Sequence, residues 1–125
     1  MNKVLIVDDD TVLARLYKSV LESENFEVDT AFDGEEGFTK AKEFNPDLIL
    51  SDVMMPRVTG LEMLKNLKAD SQTKNIKVIV MTNLKDDENA KIASQLGALS
   101  FIIKNEQNPK EVVEIIKKYL GGNTK

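Results

Sequence analysis

The segment Asp47-Leu48-Ile49-Leu50-Ser51-Asp52-Val53-Met54-Met55-Pro56 decides how this chain folds. Leu48, Ile49 and Leu50 form a short apolar run, with turn-forming Asn45-Pro46 before it and Pro56 after it. A run of that kind reads as a strand buried on both faces, as in a parallel sheet. Pro56 stops further strand pairing, because it has no N–H to donate. Asp52 therefore sits at the carboxyl end of a strand, where the ligands of open parallel sheets bind. Alone it is either a site residue or a turn cap. The other strand ends decide between the two.

Working outward, Lys3 to Val7 (KVLIV) is a second apolar run, ending in Asp8-Asp9-Asp10. Val12, Leu13, Leu16, Tyr17, Val20 and Leu21 then recur at helical spacing and predict one apolar stripe, with Asp10 or Thr11 as the cap. Phe26 to Ala31 alternates like an edge strand. Asp33 with Glu36, and Thr59 with Glu62, carry the cap-and-acid pattern of helix starts. Phe38 and Ala41 are expected inward on the first of these helices, and Leu61, Leu64 and Leu67 on the second. Ile76 to Met81 predicts a fourth strand ending at Thr82, and Leu99 to Ile103 a fifth ending at Lys104. Between them Asp86, Asp87 and Glu88 open a helix whose Ala90, Ala93 and Leu96 face the sheet, with Gly97 as its stop. Asn108-Pro109 with Glu111 starts the last helix, lined by Val112, Val113, Ile116 and Leu120. Five strands alternating with five helices predict an α/β fold, a parallel sheet covered on both faces by right-handed crossovers.

Length and composition set the frame. The 125 residues are read as a single domain, with a core over about 3–120 and a short tail at 121–125. A net charge of −4 with scattered basic residues gives no nucleic-acid footprint. Cysteine and histidine are both absent, so any metal must be held by oxygen, which favours Mg²⁺, Ca²⁺ or Mn²⁺. Met1-Asn2-Lys3 runs straight into a strand with neither signal peptide nor membrane span, so a cytoplasmic protein is expected.

Four of the five strands thus end in reactive or ligating groups: Asp8/Asp9, Asp52, Thr82 and Lys104. Each has a bland reading as a cap, turn hydroxyl or snorkelling amine, but all four would have to hold together. Two carboxylates near 4 Å apart repel by about 4 kcal/mol at an effective dielectric of roughly 20. Three converging acids compound this, and Lys104 supplies only one positive charge, so a hard divalent cation is expected. Mg²⁺ of this kind engages phosphoryl groups. Thr82 can donate a hydrogen bond to phosphoryl oxygens and Lys104 can offset their charge. Asp52 is left as the nucleophile, since aspartyl phosphates are an established covalent intermediate.

On the motifs LIVDDD (5–10), DLILSDVMMPRVTG (47–60), VIVMTN (78–83) and FIIK (101–104), the chain resembles the receiver domains of two-component response regulators, from about Lys3 to Leu120. The resemblance implies the flavodoxin-like, doubly wound sheet of strand order 2-1-3-4-5, the order shared by flavodoxin and the chemotaxis regulator of this family. It implies that Asp52 takes a phosphoryl group from a phosphohistidine of a sensor histidine kinase or phosphotransfer protein. Asp9 would ligate Mg²⁺ directly and Asp8 mostly through water, with Asp52 and the Met54 backbone carbonyl completing the protein ligands. Asp10 falls outside that set and reads as the helix cap. Thr82 would bond the phosphoryl group, Lys104 would bridge to it or to Asp52, and Phe101 would be the switch aromatic. Output would pass to a downstream protein through the face of the fourth helix, fifth strand and fifth helix, around Lys91, Gln95, Phe101 and Lys117. A monomer is expected, with a phosphorylation-dependent dimer as the variant. Beyond its own phosphorylation and dephosphorylation, no stand-alone enzyme is implied.

Two positions depart from the family pattern. Asn105 follows Lys104 where a proline in a cis bond is usual, and a cis bond before a non-proline residue costs roughly 2.5–4 kcal/mol. The loop is then trans or strained, which puts the placement of Lys104 in question. Asn83 replaces the small residue usual after the threonine, so a slow turnover of the phosphate is expected. Two other readings compete. Asp8-Asp9-Asp10-Thr11-Val12 fits the D-x-D-x-[TV] pattern of haloacid-dehalogenase-like phosphatases, but this leaves Asp52 without a role. A receiver-like binding module that has lost phosphorylation is the other.

Overall fold

Residues 3–7, 27–31, 48–52, 77–82 and 100–103 form the strands of one parallel sheet in the computed structural model, which describes residues 2–53, 58–82, 87–104 and 107–121, the side chains of 87–89 excepted. In chain order the elements are β1 (Lys3–Val7), α1 (Thr11–Ser23), β2 (Glu27–Ala31), α2 (Gly34–Phe44), β3 (Leu48–Asp52), α3 (Gly60–Ala69), β4 (Lys77–Thr82), α4 (Asp87–Gln95), β5 (Ser100–Ile103) and α5 (Pro109–Leu120). The strand order is β2-β1-β3-β4-β5, as the sequence predicts. Every neighbouring pair is parallel, with Val7 opposite Ala31 and Ser51, Asp52 opposite Met81, and Thr82 opposite Ile103. This is the flavodoxin-like arrangement.

Strand alternation sorts the core into two layers. Val4, Ile6, Leu48, Leu50, Ile79, Met81 and Ile102 pack on Ala14, Tyr17 and Leu21 of α1 and on Val112, Val113 and Ile116 of α5. Leu5, Val7, Ile49, Val78 and Val80 point the other way, onto Ala41 of α2, Met63, Leu64 and Leu67 of α3 and Ala93 of α4. All of β3 is buried, which explains why its sequence is apolar without alternation.

The helix starts follow the sequence signals. Asp10 accepts from the Leu13 N–H at 3.1 Å, and Asp33 from that of Glu36 at 2.8 Å. Thr59 with Glu62 and Asn108 with Glu111 form reciprocal capping boxes, the latter with Pro109 at the helix start. Gly97 stops α4 as expected: its φ of +103° lies in the left-handed region open to glycine. The start of α4 at Asp86 lies outside the described residues.

Two expectations need correction. Strands β2, β4 and β5 each begin one residue later than the apolar runs suggest, leaving Phe26, Ile76 and Leu99 as flanking residues. The α1 stripe is narrower than predicted. Val12 is 75% and Leu16 45% exposed, because α5 covers only one flank of the helix. The Lys117 ammonium pairs with Glu24 across the seam between α1 and α5. No helix among the described residues is long and apolar enough to cross a membrane.

Candidate functional site

The two-residue period that builds the core also aims the charged groups. Asp8 continues the Val4–Ile6 parity of β1, Asp52 continues Leu48–Leu50 of β3, and Lys104 continues Ile102 of β5. Asp8, Asp52 and Lys104 therefore converge on the α1/α5 side of the sheet's carboxyl edge. The Lys104 ammonium donates to Asp8 Oδ2 at 2.7 Å and stands 3.4 Å from Asp52 Oδ2. Asp8 is fully buried, and the side chains of Lys104 and Asp52 are nearly so. Asp9, one residue on, is exposed.

The backbone holds these acids in place. The Asp8 N–H donates to the Ala31 carbonyl and the Val53 N–H to that of Met81, so the sheet ladder carries past the strand ends. The Asp10 N–H donates to Asp8 Oδ1 at 2.9 Å. Asp10 thus caps α1 with its side chain and orients Asp8 with its amide.

Asp8, Asp9 and Asp52 each present a carboxylate oxygen, and the three oxygens lie within 4.8 Å of one another. Three carboxylates against one ammonium leave a formal charge of −2. Burial is the largest influence on Lys104 and depresses its pKa, but the hydrogen bond to Asp8 and the charges of Asp52 and Asp8 together prevail. The net pKa is raised above the ordinary lysine value, so the amine is held as ammonium. The donor set is all oxygen, dense and under-neutralised, which fits a hard divalent cation.

Thr82 is buried and follows the parity of Val78 and Val80, toward the layer shared by α2, α3 and α4. Phe101 packs half-buried in that same layer. It lines a cavity of about 190 Å³ with Ala90, Ala93, Ser94, Ala98 and Leu99, between α4 and β5. Charge thus gathers on one side of the sheet, and the threonine and aromatic on the other. Met54, Asn83 and Asn105 lie outside the described residues.

Two residues at the site escape sequence reasoning. Gly60 reads there only as part of a helix start, yet its backbone lies against that of Asp52. Tyr17 reads as one more member of the α1 stripe, yet its phenol feels both site charges. Burial raises its pKa most, the Lys104 ammonium draws it down and the Asp8 carboxylate raises it. A hydroxyl within an otherwise apolar stripe is the one signal that could have singled it out.

Known proteins are similar to this chain in sequence and fold. The response regulator receiver domain family matches residues 4–117. The chain is similar to the alkaline phosphatase synthesis transcriptional regulatory protein PhoP of Bacillus subtilis, at 39% identity over 94% of this chain and 48% of that protein. It is also similar to hybrid signal transduction histidine kinase D of Dictyostelium discoideum, at 38% identity over 88% of this chain and 7% of that protein. The chain thus spans about half or less of these curated relatives. Among solved structures, a CheY-like receiver domain protein from Methanospirillum hungatei superposes with a TM-score of 0.90 at 32% identity, covering 98% of this chain and 95% of that one. Vibrio cholerae chemotaxis protein CheY4 does so with a TM-score of 0.88 at 32% identity, covering 94% and 98%.

Proposed function

The chain belongs to the response regulator receiver domain family of two-component systems, and we propose that Asp52 is its phosphoacceptor. The observation that carries this reading is the convergence of the Asp8, Asp9 and Asp52 oxygens within 4.8 Å, with Lys104 bridging Asp8 and Asp52. The family is a signalling module and not a stand-alone enzyme. The donor is a phosphohistidine on a sensor kinase or phosphotransfer protein. An Asp52 carboxylate oxygen attacks the phosphorus, the P–N bond breaks, and the electron pair stays on the imidazole nitrogen, which takes a proton from solvent. Lys104 offsets charge on the phosphoryl oxygens, and the Thr82 hydroxyl donates to one of them.

Asp8, Asp9, Asp52 and the Met54 carbonyl would hold Mg²⁺, with Mn²⁺ or Ca²⁺ as substitutes. When bound, the cation neutralises the excess carboxylate charge and the charge on the incoming phosphoryl group. The signal leaves as Thr82 moves toward the phosphoryl group and Phe101 turns inward beside α4, and it passes to a protein partner at the α4–β5–α5 face. The chain acts as one receiver unit in the cytoplasm.

Incubation with acetyl phosphate and Mg²⁺, read by intact mass, tests this. One added phosphate is expected, lost with a chelator and lost in Asp52→Asn. Full labelling of Asp52→Asn sinks the assignment. No mass change in the parent favours a phosphorylation-independent module, and rapid turnover of varied phosphomonoesters favours a phosphatase.

A further inference from the structure

We propose that Ser51 is a positioning residue for Asp52, its hydroxyl fixing the backbone from which the carboxylate hangs. The inference rests on the Asp52 reading for its catalytic consequence and on the hydrogen bonds around that backbone for its geometry.

Ser51 is fully buried within β3, a strand buried along its whole length. By strand parity its side chain stands with Ile49 on the face covered by α2, α3 and α4, opposite the face that carries the Asp52 carboxylate. A hydroxyl in that apolar layer is unfavourable unless it meets a partner. It donates to the Asp52 carbonyl oxygen at 2.9 Å. The N–H of the same peptide group, that of Val53, donates to the Met81 carbonyl at 2.8 Å. The peptide group after the proposed phosphoacceptor is therefore held at both ends, by a side chain of β3 and by the backbone of β4. Gly60 packs against the same carbonyl oxygen from α3.

The Ser51 bond reaches across Asp52. The ring it closes runs from the Ser51 Cβ through the intervening peptide to the Asp52 Cα and carbonyl, so it contains both φ and ψ of Asp52. Those are the only soft dihedrals of a residue's backbone. With both restrained, the Cα–Cβ bond of Asp52 keeps one direction, and only the side-chain torsions separate it from the oxygens that face Lys104 and the other acids. A catalytic group has to be held within about 0.5 Å of its productive geometry, and a displacement of about 1 Å can cost roughly 100-fold in rate. The pinned peptide group also leads into Met54, whose carbonyl is the proposed backbone ligand of the cation. Alanine at position 51 would keep β3 buried and remove the restraint.

Initial rates of acetyl phosphate labelling at saturating Mg²⁺ and donor, counted per folded molecule, test this. Ser51→Ala is expected to label about threefold or more slowly than the parent. Ser51→Thr keeps the hydroxyl and Ser51→Val has the same shape without it, so the Thr variant is expected to label faster than the Val variant by a similar factor. A side chain that only fills its site gives neither difference. A Ser51→Ala rate equal to the parent's overturns the proposal, and so do equal rates for Ser51→Thr and Ser51→Val. If the parent takes no phosphate, it is the Asp52 reading that fails. Amide hydrogen exchange of parent and Ser51→Ala without donor or metal then decides: faster exchange at Val53 relative to Leu50 keeps the Ser51 restraint, and an unchanged ratio overturns it.

Discussion

Gly60 stands so close to Asp52 that a Cβ on it would lie 2.0 Å from the Asp52 carbonyl oxygen and 2.9 Å from the carbonyl carbon. The Gly60 N–H donates to the next carbonyl, that of Val53, at 2.9 Å. The start of α3 is therefore laid directly against the backbone that carries the proposed phosphoacceptor. Only hydrogen fits between them.

Gly60→Ala is expected to be costly for this reason, because the atoms met are backbone and have no rotamer to yield. Overpacking of a tight site costs typically about 1–3 kcal/mol, and the upper end is expected in urea unfolding. Relief requires Asp52 or α3 to move, so acetyl phosphate labelling is expected to slow as well. A variant with parent-like stability and labelling rate would show that the two segments separate freely.

Period-two alternation is what makes most of the site legible in the residues alone. Val4-Ile6-Asp8 and Leu48-Leu50-Asp52 put their acids on the same side of the sheet as their core residues, and the four helix caps are written in short local patterns. The residues that escape depend on distant neighbours. Whether Val12 and Leu16 are covered is set by how far α5 extends across α1, and Lys117 turns to Glu24 because the same two helices abut. A periodic stripe shows that a helix has an inner face but not how wide its neighbour is. The role of Gly60 is legible only when Asp52, eight residues earlier, is brought back against it by the fold.

Lys104→Met removes the only ammonium within the pair distances to Asp8 and Asp52 among the described residues, and leaves the fully buried Asp8 carboxylate without its counter-charge. Breaking a buried pair by removing one partner costs about 3–5 kcal/mol. The lower figure is expected here, because the cleft opens to solvent at Asp9. The pH dependence is specific. The folded protein holds the Lys104 proton more tightly than the unfolded chain, so the contribution is complete below about pH 10.4 and is lost as the pH climbs through the higher folded value. Urea unfolding of parent and variant without metal, at steps from pH 8 upward, is expected to give a constant gap that closes only in the alkaline range. A gap that is flat throughout, or that closes on acidification, would contradict this account of the ion pair.

The lifetime of the phosphorylated state turns on the residue that follows Thr82. Thr82 is 2% exposed at the end of β4 and paired opposite Ile103, one residue before Lys104. Receiver domains usually place a small residue after the threonine, and this chain has Asn83. Hydrolysis needs a water in line with the bond from phosphorus to Asp52, and the larger residue after Thr82 is expected to obstruct that approach. Asn83→Ala is accordingly expected to shorten the acyl-phosphate lifetime about threefold or more, a barrier change of roughly 0.6 kcal/mol or above. Stability is expected to stay near the parent's, so that the effect is one of access. The decay of labelled Asp52, followed by intact mass after removal of acetyl phosphate, measures this directly. Equal lifetimes in parent and variant would refute the obstruction and shift the control of turnover to Lys104 and its loop.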